Sequence, residues 1–208
     1  MSRRLPVYIV LDTSGSMFGE PIEAVRNGVR FMINKLRQMP QAQENVFLSI
    51  ITFNDTAQQI IPLTDLPSFQ MVDIHASGLT ALGEALKLVS QCIDNEVKKN
   101  TAETKGDWKP LVFILTDGMP TDDNWNTGLV EFKKRKTAHT VACAAGNNAD
   151  TSILKQITDD VISIATDMDS IGKFFERVTD SIVETSTNNE ATGKNQMPPP
   201  PDKLQIVL

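Results

Sequence analysis

Short apolar runs bounded by turn residues alternate along this chain with longer stretches in which apolar residues recur at helical spacing, the pattern of βαβ units and a largely parallel sheet. Pro6 to Leu11 reads as a buried first strand, and Ile22, Val25, Val29, Met32, Ile33 and Leu36 mark the helix after it. Pro21 suits the first turn of that helix and Pro40 falls just past its end. Phe47 to Phe53 and Ala57 to Ile61 flank the tight turn at Asn54-Asp55, so an antiparallel edge hairpin is expected.

A loop rich in turn residues, 62–77, leads to Gly78-Leu79-Thr80 and a helix carrying Leu82, Ala85, Leu86, Val89, Cys92 and Ile93. Leu111 to Leu115 is a buried strand. It is followed by Thr116-Asp117-Gly118 and a helix from about Trp125 to Lys136. Thr140 to Ala144 and Val161 to Ala165 complete six strands, with a short helix over about Ser152 to Ile157 between them. Ile171, Phe174, Phe175, Val178 and Ile182 mark the last helix. The pattern therefore predicts one α/β domain over residues 1–186. From Thr187 the chain turns polar and then runs through four prolines, so 187–208 is expected to be a flexible tail. Its apolar end, Leu204 to Leu208, could dock on a protein surface but is read as a disordered terminus.

Composition narrows the function classes. The 208 residues suit one sizeable core. No apolar run approaches the roughly 20 residues that span a bilayer, so no membrane role is expected. A net charge of −6 argues against nucleic acid, whose phosphates are met by Lys and Arg. Arg3 and Arg4 ahead of Leu5 to Leu11 have the look of a secretion signal. The apolar stretch is short, however, and ends in Asp12 without a small-residue cleavage site. Cys92 and Cys143, isolated in apolar surroundings, fit buried thiols in a reducing cytoplasm rather than a disulfide or zinc site.

Open parallel sheets bind ligands where loops leave the carboxyl ends of their strands. Three segments qualify: Asp12-Thr13-Ser14-Gly15-Ser16, Gly78-Leu79-Thr80 and Thr116-Asp117-Gly118. Together Asp12, Ser14, Ser16, Thr80 and Asp117 supply two carboxylates and three hydroxyls. An all-oxygen set with few charges suits a hard cation that keeps some of its water, Mg²⁺ foremost, with Mn²⁺ and Ca²⁺ as alternatives; zinc and copper would want His or Cys. Such an ion stays incompletely neutralised, so an exchangeable water on it could give way to a partner's Glu or Asp carboxylate.

These three segments, in order and at the right strand ends, resemble the metal-ion-dependent adhesion site of von Willebrand factor A domains, over essentially Leu5 to Ser186. The resemblance implies a Rossmann-like, doubly wound three-layer sandwich whose mostly parallel six-stranded sheet has one antiparallel edge strand. It also implies that Ser14, Ser16 and Thr80 ligate the metal directly, with Asp12 and Asp117 acting directly or through water. Pro21-Ile22, the Gly78-Leu79-Thr80-Ala81-Leu82-Gly83 segment and the 116–122 segment further resemble the TerY-like proteins of tellurium resistance. That implies a cytoplasmic adaptor or scaffold in a chemical-stress system, working with a PP2C-type phosphatase or a protein kinase.

Several of these residues, and some of their neighbours, admit other roles. Asp12, Ser14 and Thr80 could cap helices, and Asp122 and Asp123 are expected to cap the helix near Trp125 rather than bind metal. Lys133 to Lys136 sits in a last helical turn, where cations favour the dipole and a solvated face is expected. Met17 and Phe18 could pack inward or rim a partner surface. The competing class is a Mg²⁺-dependent phosphoryl-transfer enzyme of haloacid-dehalogenase type. Those need a second Asp two residues after the nucleophile, and that position here is Ser14, so a non-enzyme is expected.

Overall fold

The computed structural model describes residues 3–146 and 149–192. Its centre is β1 (Leu5–Asp12), whose eight residues are all buried. The strand has no polar side chain before Asp12 except Tyr8, so both of its faces can be covered, as parallel strands require. After a 3-10 turn (Gly15–Met17) come α1 (Glu20–Arg37), α2 (Pro40–Asn45), β2 (Val46–Phe53), β3 (Ala57–Asp65) and α3 (Leu82–Glu96). The chain then forms β4 (Leu111–Thr116), α4 (Trp125–Lys133), β5 (His139–Ala145), α5 (Thr151–Leu154), β6 (Val161–Ile164) and α6 (Met168–Thr192).

The six strands lie in the order β3-β2-β1-β4-β5-β6. All neighbours pair in parallel except β3, which runs antiparallel to β2 at the edge. Side chains alternate across the sheet. Val7, Ile9 and Leu11 join a core with residues of α1 and α6, such as Val29 and Phe175. Tyr8 and Val10 join another with Leu86 and Val89 of α3 and Phe132 of α4. The result is the expected three-layer α/β sandwich. Among the described residues no helix is long and apolar enough to cross a membrane.

Three details depart from the pattern-based expectation. Pro40 opens a helix of its own, α2, instead of merely following α1. β3 continues past Ile61 to Asp65 because Pro62 sits on the edge strand, where its missing N–H is tolerated. The ladder is irregular there, with Pro62 and Leu63 standing opposite Ser49 alone. The last helix runs on to Thr192, past the boundary expected at 186/187. Its polar end is held by packing against α2, and Ser186 Oγ donates to Asn45 Oδ1 at 2.7 Å with both residues buried. The four prolines and Leu204 to Leu208 lie outside the described residues.

Candidate metal centre

From β1 the chain moves to β2 on one side, while β4 lies on the other, so strand order reverses between β1 and β4. At the carboxyl ends of such a pair the connecting loops diverge and leave a crevice. Asp12 is the last residue of β1 and Asp117 immediately follows β4.

The structure brings the five predicted residues together. Asp12 Oδ1 accepts the Ser14 backbone N–H at 2.8 Å, and Asp12 Oδ2 accepts the Thr116 hydroxyl at 2.5 Å. The Ser14 and Ser16 hydroxyls are 3.0 Å apart, and Ser16 Oγ donates to Asp117 Oδ1 at 2.8 Å. Thr80 closes the ring from the third loop: a Cβ on Gly118 would stand 3.2 Å from Thr80 Oγ1. The loops are tied through their backbones as well, with Gly15 N–H donating to Gly78 O at 2.9 Å and Ser77 N–H to Thr13 O at 2.8 Å.

Gly78 is required where it stands. Its φ of 76° lies in the left-handed region, and a Cβ there would come within 2.4 Å of Asp55 Oδ2. The same Asp55 carboxylate accepts the Leu79 N–H at 2.9 Å and so orients the Thr80 loop. Thr121 holds Thr80 from the other side, its Oγ1 accepting the Thr80 N–H at 3.0 Å.

Ser14 heads the 3-10 turn but its side chain makes no cap bond there, and the capping roles of Asp12 and Thr80 do not survive. The N-cap of α1 is Gly19, remote from Asp12, and the N-cap of α3 is Ala81, not Thr80. Asp122 does cap a helix, but α3 rather than α4: its two oxygens accept the Gly83 and Glu84 N–H groups at 3.1 and 2.8 Å. α4 has Asn124 at its N-cap position with no side-chain cap bond, and Asp123 is exposed. The expected caps were wrong because the 116–123 loop folds back onto the start of α3. Met17 and Phe18 separate cleanly. Met17 is buried in the core, whereas Phe18 is 78% exposed.

Electrostatically the site is unbalanced. Asp12 is fully buried and Asp117 nearly so, and among the described residues neither makes an ion pair. Burial pushes the Asp12 carboxyl above its ordinary value, and hydrogen bonds from Ser14 and Thr116 pull it back only in part. The charge on Asp117 acts in the same direction as burial. Burial also raises Asp117 itself, against the hydrogen bond from Ser16.

A divalent cation fits this donor set. Among the described residues no three His, Cys, Asp or Glu side chains gather in one place, so an ion here would draw on hydroxyls and water besides the two carboxylates. That is the chemistry of a hard, partly hydrated cation. Thr116 was missed as a contributor in the sequence, although it stands next to Asp117. Its hydroxyl fixes the Asp12 carboxylate, as partners of metal-binding carboxylates commonly do.

The family model for the von Willebrand factor type A domain matches residues 7–177. The chain belongs to that family. An uncharacterised protein of Synechocystis is 31% identical over 150 residues, covering 67% of this chain and 32% of the relative. The human inter-alpha-trypsin inhibitor heavy chain H6 is 24% identical, covering 73% of this chain and 12% of its own length. The chain thus spans a third or less of these two longer relatives. Among solved structures, the pilus adhesin SpaC of Lactobacillus rhamnosus GG superposes with a TM-score of 0.69 at 16% identity, over 88% of this chain and 31% of that one. Proximal thread matrix protein 1 of the mussel byssus, solved with a zinc-occupied metal-ion-dependent adhesion site, gives 0.64 at 20% identity, over 88% and 46%. At these identities the likeness is one of fold.

Proposed function

We propose that this domain is a metal-dependent protein-interaction module that grips an acidic side chain of a partner protein, with Mg²⁺ the physiological ion. The observation that carries this is the pair of desolvated carboxylates, Asp12 and Asp117, surrounded by hydroxyls at the switch point of the sheet with, among the described residues, no ion pair to either. Ser14, Ser16 and Thr80 would hold the ion together with the two carboxylates. When bound, it supplies a positive centre whose remaining ligand can be a partner's carboxylate.

The rim suits a protein surface. Phe18, Leu79 and Met119, one from each of the three site loops, are 78%, 60% and 53% exposed. Apolar side chains around a charged centre exclude water from a docked carboxylate and strengthen its contact. Phosphoryl transfer would need an acid/base carboxylate near Asp12, and the group two residues on is a hydroxyl engaged with Ser16. The resemblance to TerY-like proteins supports a cytoplasmic adaptor of a tellurium-resistance or chemical-stress system, with a PP2C-type phosphatase or protein kinase as partner.

Capture of partners from lysate on the immobilised domain tests this. Capture should require Mg²⁺ or Mn²⁺, be released by chelator, and be lost in Asp12→Ala and Thr80→Ala. If both variants retain every partner, the metal grip is not the mode of binding. Turnover of a phosphate ester that Asp12→Asn abolishes would instead favour an enzyme.

A further inference from the structure

At the opposite end of the sheet from the metal centre lies a cavity of about 560 Å³ between the C-terminal ends of α3 and α4 and the segment entering β4. That size falls within the roughly 300–1,000 Å³ of small-molecule sites. Its floor is apolar, formed by Ile93, Val97, Trp108 and Pro110. Its rim is cationic: Lys98, Lys99, Lys109, Lys134, Arg135 and Lys136 all line it. Only Asp94 and Asp107 oppose them, and these are already paired with Arg135 and Arg4. The five lysines are exposed and, among the described residues, make no ion pair. Six cations on one cavity are notable in a chain of net charge −6 that has 20 Lys and Arg in all.

A helix dipole favours cations after a C-terminus, which accounts for Lys134 at the end of α4. It does not account for Lys109, which stands just ahead of β4, nor for two further observations. Trp108 is 5% exposed and its Nε1 is a buried donor without an acceptor. Arg135 Nε is a second. Buried donors are normally satisfied, and both of these belong to residues lining the cavity. Arg3 already stacks on the Trp108 ring at 3.7 Å, so the indole is held in place. An apolar floor, unpaired donors and a ring of positive charge describe a site for a small organic anion.

We propose that this cavity binds a small amphiphilic anion, an aromatic or aliphatic body bearing a phosphate or carboxylate group. The body occupies the apolar floor, and the anionic oxygens accept from the lysine rim; the buried Trp108 and Arg135 N–H donors join only as the side chains over them part around the ligand. The site is independent of the metal centre, so its occupancy persists in chelator.

Calorimetric titration of the full chain with 1-naphthyl phosphate in EDTA tests this, with inorganic phosphate and 1-naphthol as the separate halves. Naphthyl phosphate should bind at least about tenfold tighter than either half, and more weakly as salt rises. The double charge reversal Lys134→Glu/Lys136→Glu should weaken it by about tenfold or more with the melting temperature unchanged. Lys98→Glu/Lys109→Glu serves as a second variant if the first does not fold. Trp108→Phe, which keeps a ring but removes the donor, should weaken it by a few-fold. No binding of naphthyl phosphate, binding no tighter than naphthol, or indifference to both charge reversals overturns the proposal. Tighter binding of a hexaglutamate peptide than of naphthyl phosphate also overturns it and points to a protein partner.

Discussion

Charge flanks β1 at both ends, partly buried before it and buried at its close, and the two ends handle that charge differently. At the amino end, the Arg4 guanidinium donates to both oxygens of Asp107, at 2.9 and 2.5 Å, and to the Glu96 carbonyl at 2.8 Å. Arg3 donates to the Gly106 and Asp107 carbonyls. Glu96 in turn accepts from the Tyr8 hydroxyl at 3.0 Å and from Gln59 Nε2. The bond to Asp107 holds the Arg4 guanidinium above its already high ordinary value, while burial beside Glu96 pushes the Tyr8 phenol far up, so both keep their protons. At the carboxyl end, Asp12 and Asp117 are more fully buried than Arg4 but, among the described residues, receive only neutral hydroxyls and backbone amides. Buried charge is tolerated when a counter-charge is built in. Where the described residues supply none, a buried carboxyl either keeps its proton or takes a counter-charge from outside, and that contrast is the one expected between a structural acid and a binding one.

Neutralising one acid at each end should therefore give opposite results. Asp12→Ala is expected to lower Mg²⁺ affinity by at least about 100-fold, the upper figure for groups that merely orient a ligand. It should leave the metal-free melting temperature equal or higher, since it removes a desolvated charge. Asp107→Asn is expected to cost about 1–3 kcal/mol with or without Mg²⁺, because the Arg4 charge loses its buried partner. Calorimetric titration with Mg²⁺ and chemical denaturation measure the two. An Asp12→Ala protein that binds Mg²⁺ like the parent would erase the distinction between the ends.

The same contrast has a pH signature. A carboxyl whose folded pKa is raised favours the fold below its unfolded pKa, and that contribution is lost as pH rises through the folded value. Without metal, Asp12 and Asp117 should thus make the protein progressively less stable across the range above ordinary carboxylate titration. Mg²⁺ prefers the ionised pair and should stabilise most at neutral pH, by about 2.7 kcal/mol at a hundredfold excess over Kd, or roughly 5–10 °C. Melting curves in Mg²⁺ and in EDTA should converge as pH falls and the two carboxyls protonate. A gap independent of pH would place the ion elsewhere.

Gly78→Ala probes the loop that carries Thr80. Left-handed backbone costs a residue with a Cβ roughly 1–2 kcal/mol, and here the methyl would also press on the Asp55 carboxylate. A melting temperature lowered together with weakened Mg²⁺ binding is expected. Lowered stability with unchanged affinity would mean that the loop relaxes without moving Thr80.

Most of the sheet was legible because period-two and period-3.6 patterns report burial directly, and β1, β2, β4, β5 and α1 stand where the apolar residues place them. That Asp12, Ser14, Ser16, Thr80 and Asp117 gather in one place was legible because the loops leaving strand ends converge in this architecture. Whatever depended on tertiary pairing of polar groups stayed hidden. The end of α6 reads as tail from Thr187 because that stretch is polar, yet Asn189 is buried, and just ahead of it the buried Ser186 meets Asn45 on an element equally invisible in the sequence. The lysines at the end of α4 read as a solvated face, since nothing in their local order shows that they line one cavity with Lys98, Lys99 and Trp108.

Asp122 sharpens the comparison most finely, because it shares the carboxyl end of the sheet with Asp12 and Asp117 and yet resembles Asp107 in being satisfied. Its counter-charge is the start of α3, whose unpaired N–H groups and positive dipole end meet both of its oxygens. Asp122→Ala should accordingly cost about 1 kcal/mol, within the usual range for a lost helix cap, and leave Mg²⁺ affinity within a few-fold of the parent. Asp123→Ala, which removes an exposed neighbour, should be close to neutral in both measurements. A large loss of Mg²⁺ affinity in Asp122→Ala without loss of stability would make it a ligand, and proximity to the site, rather than the absence of a partner, would then be what marks a binding carboxylate.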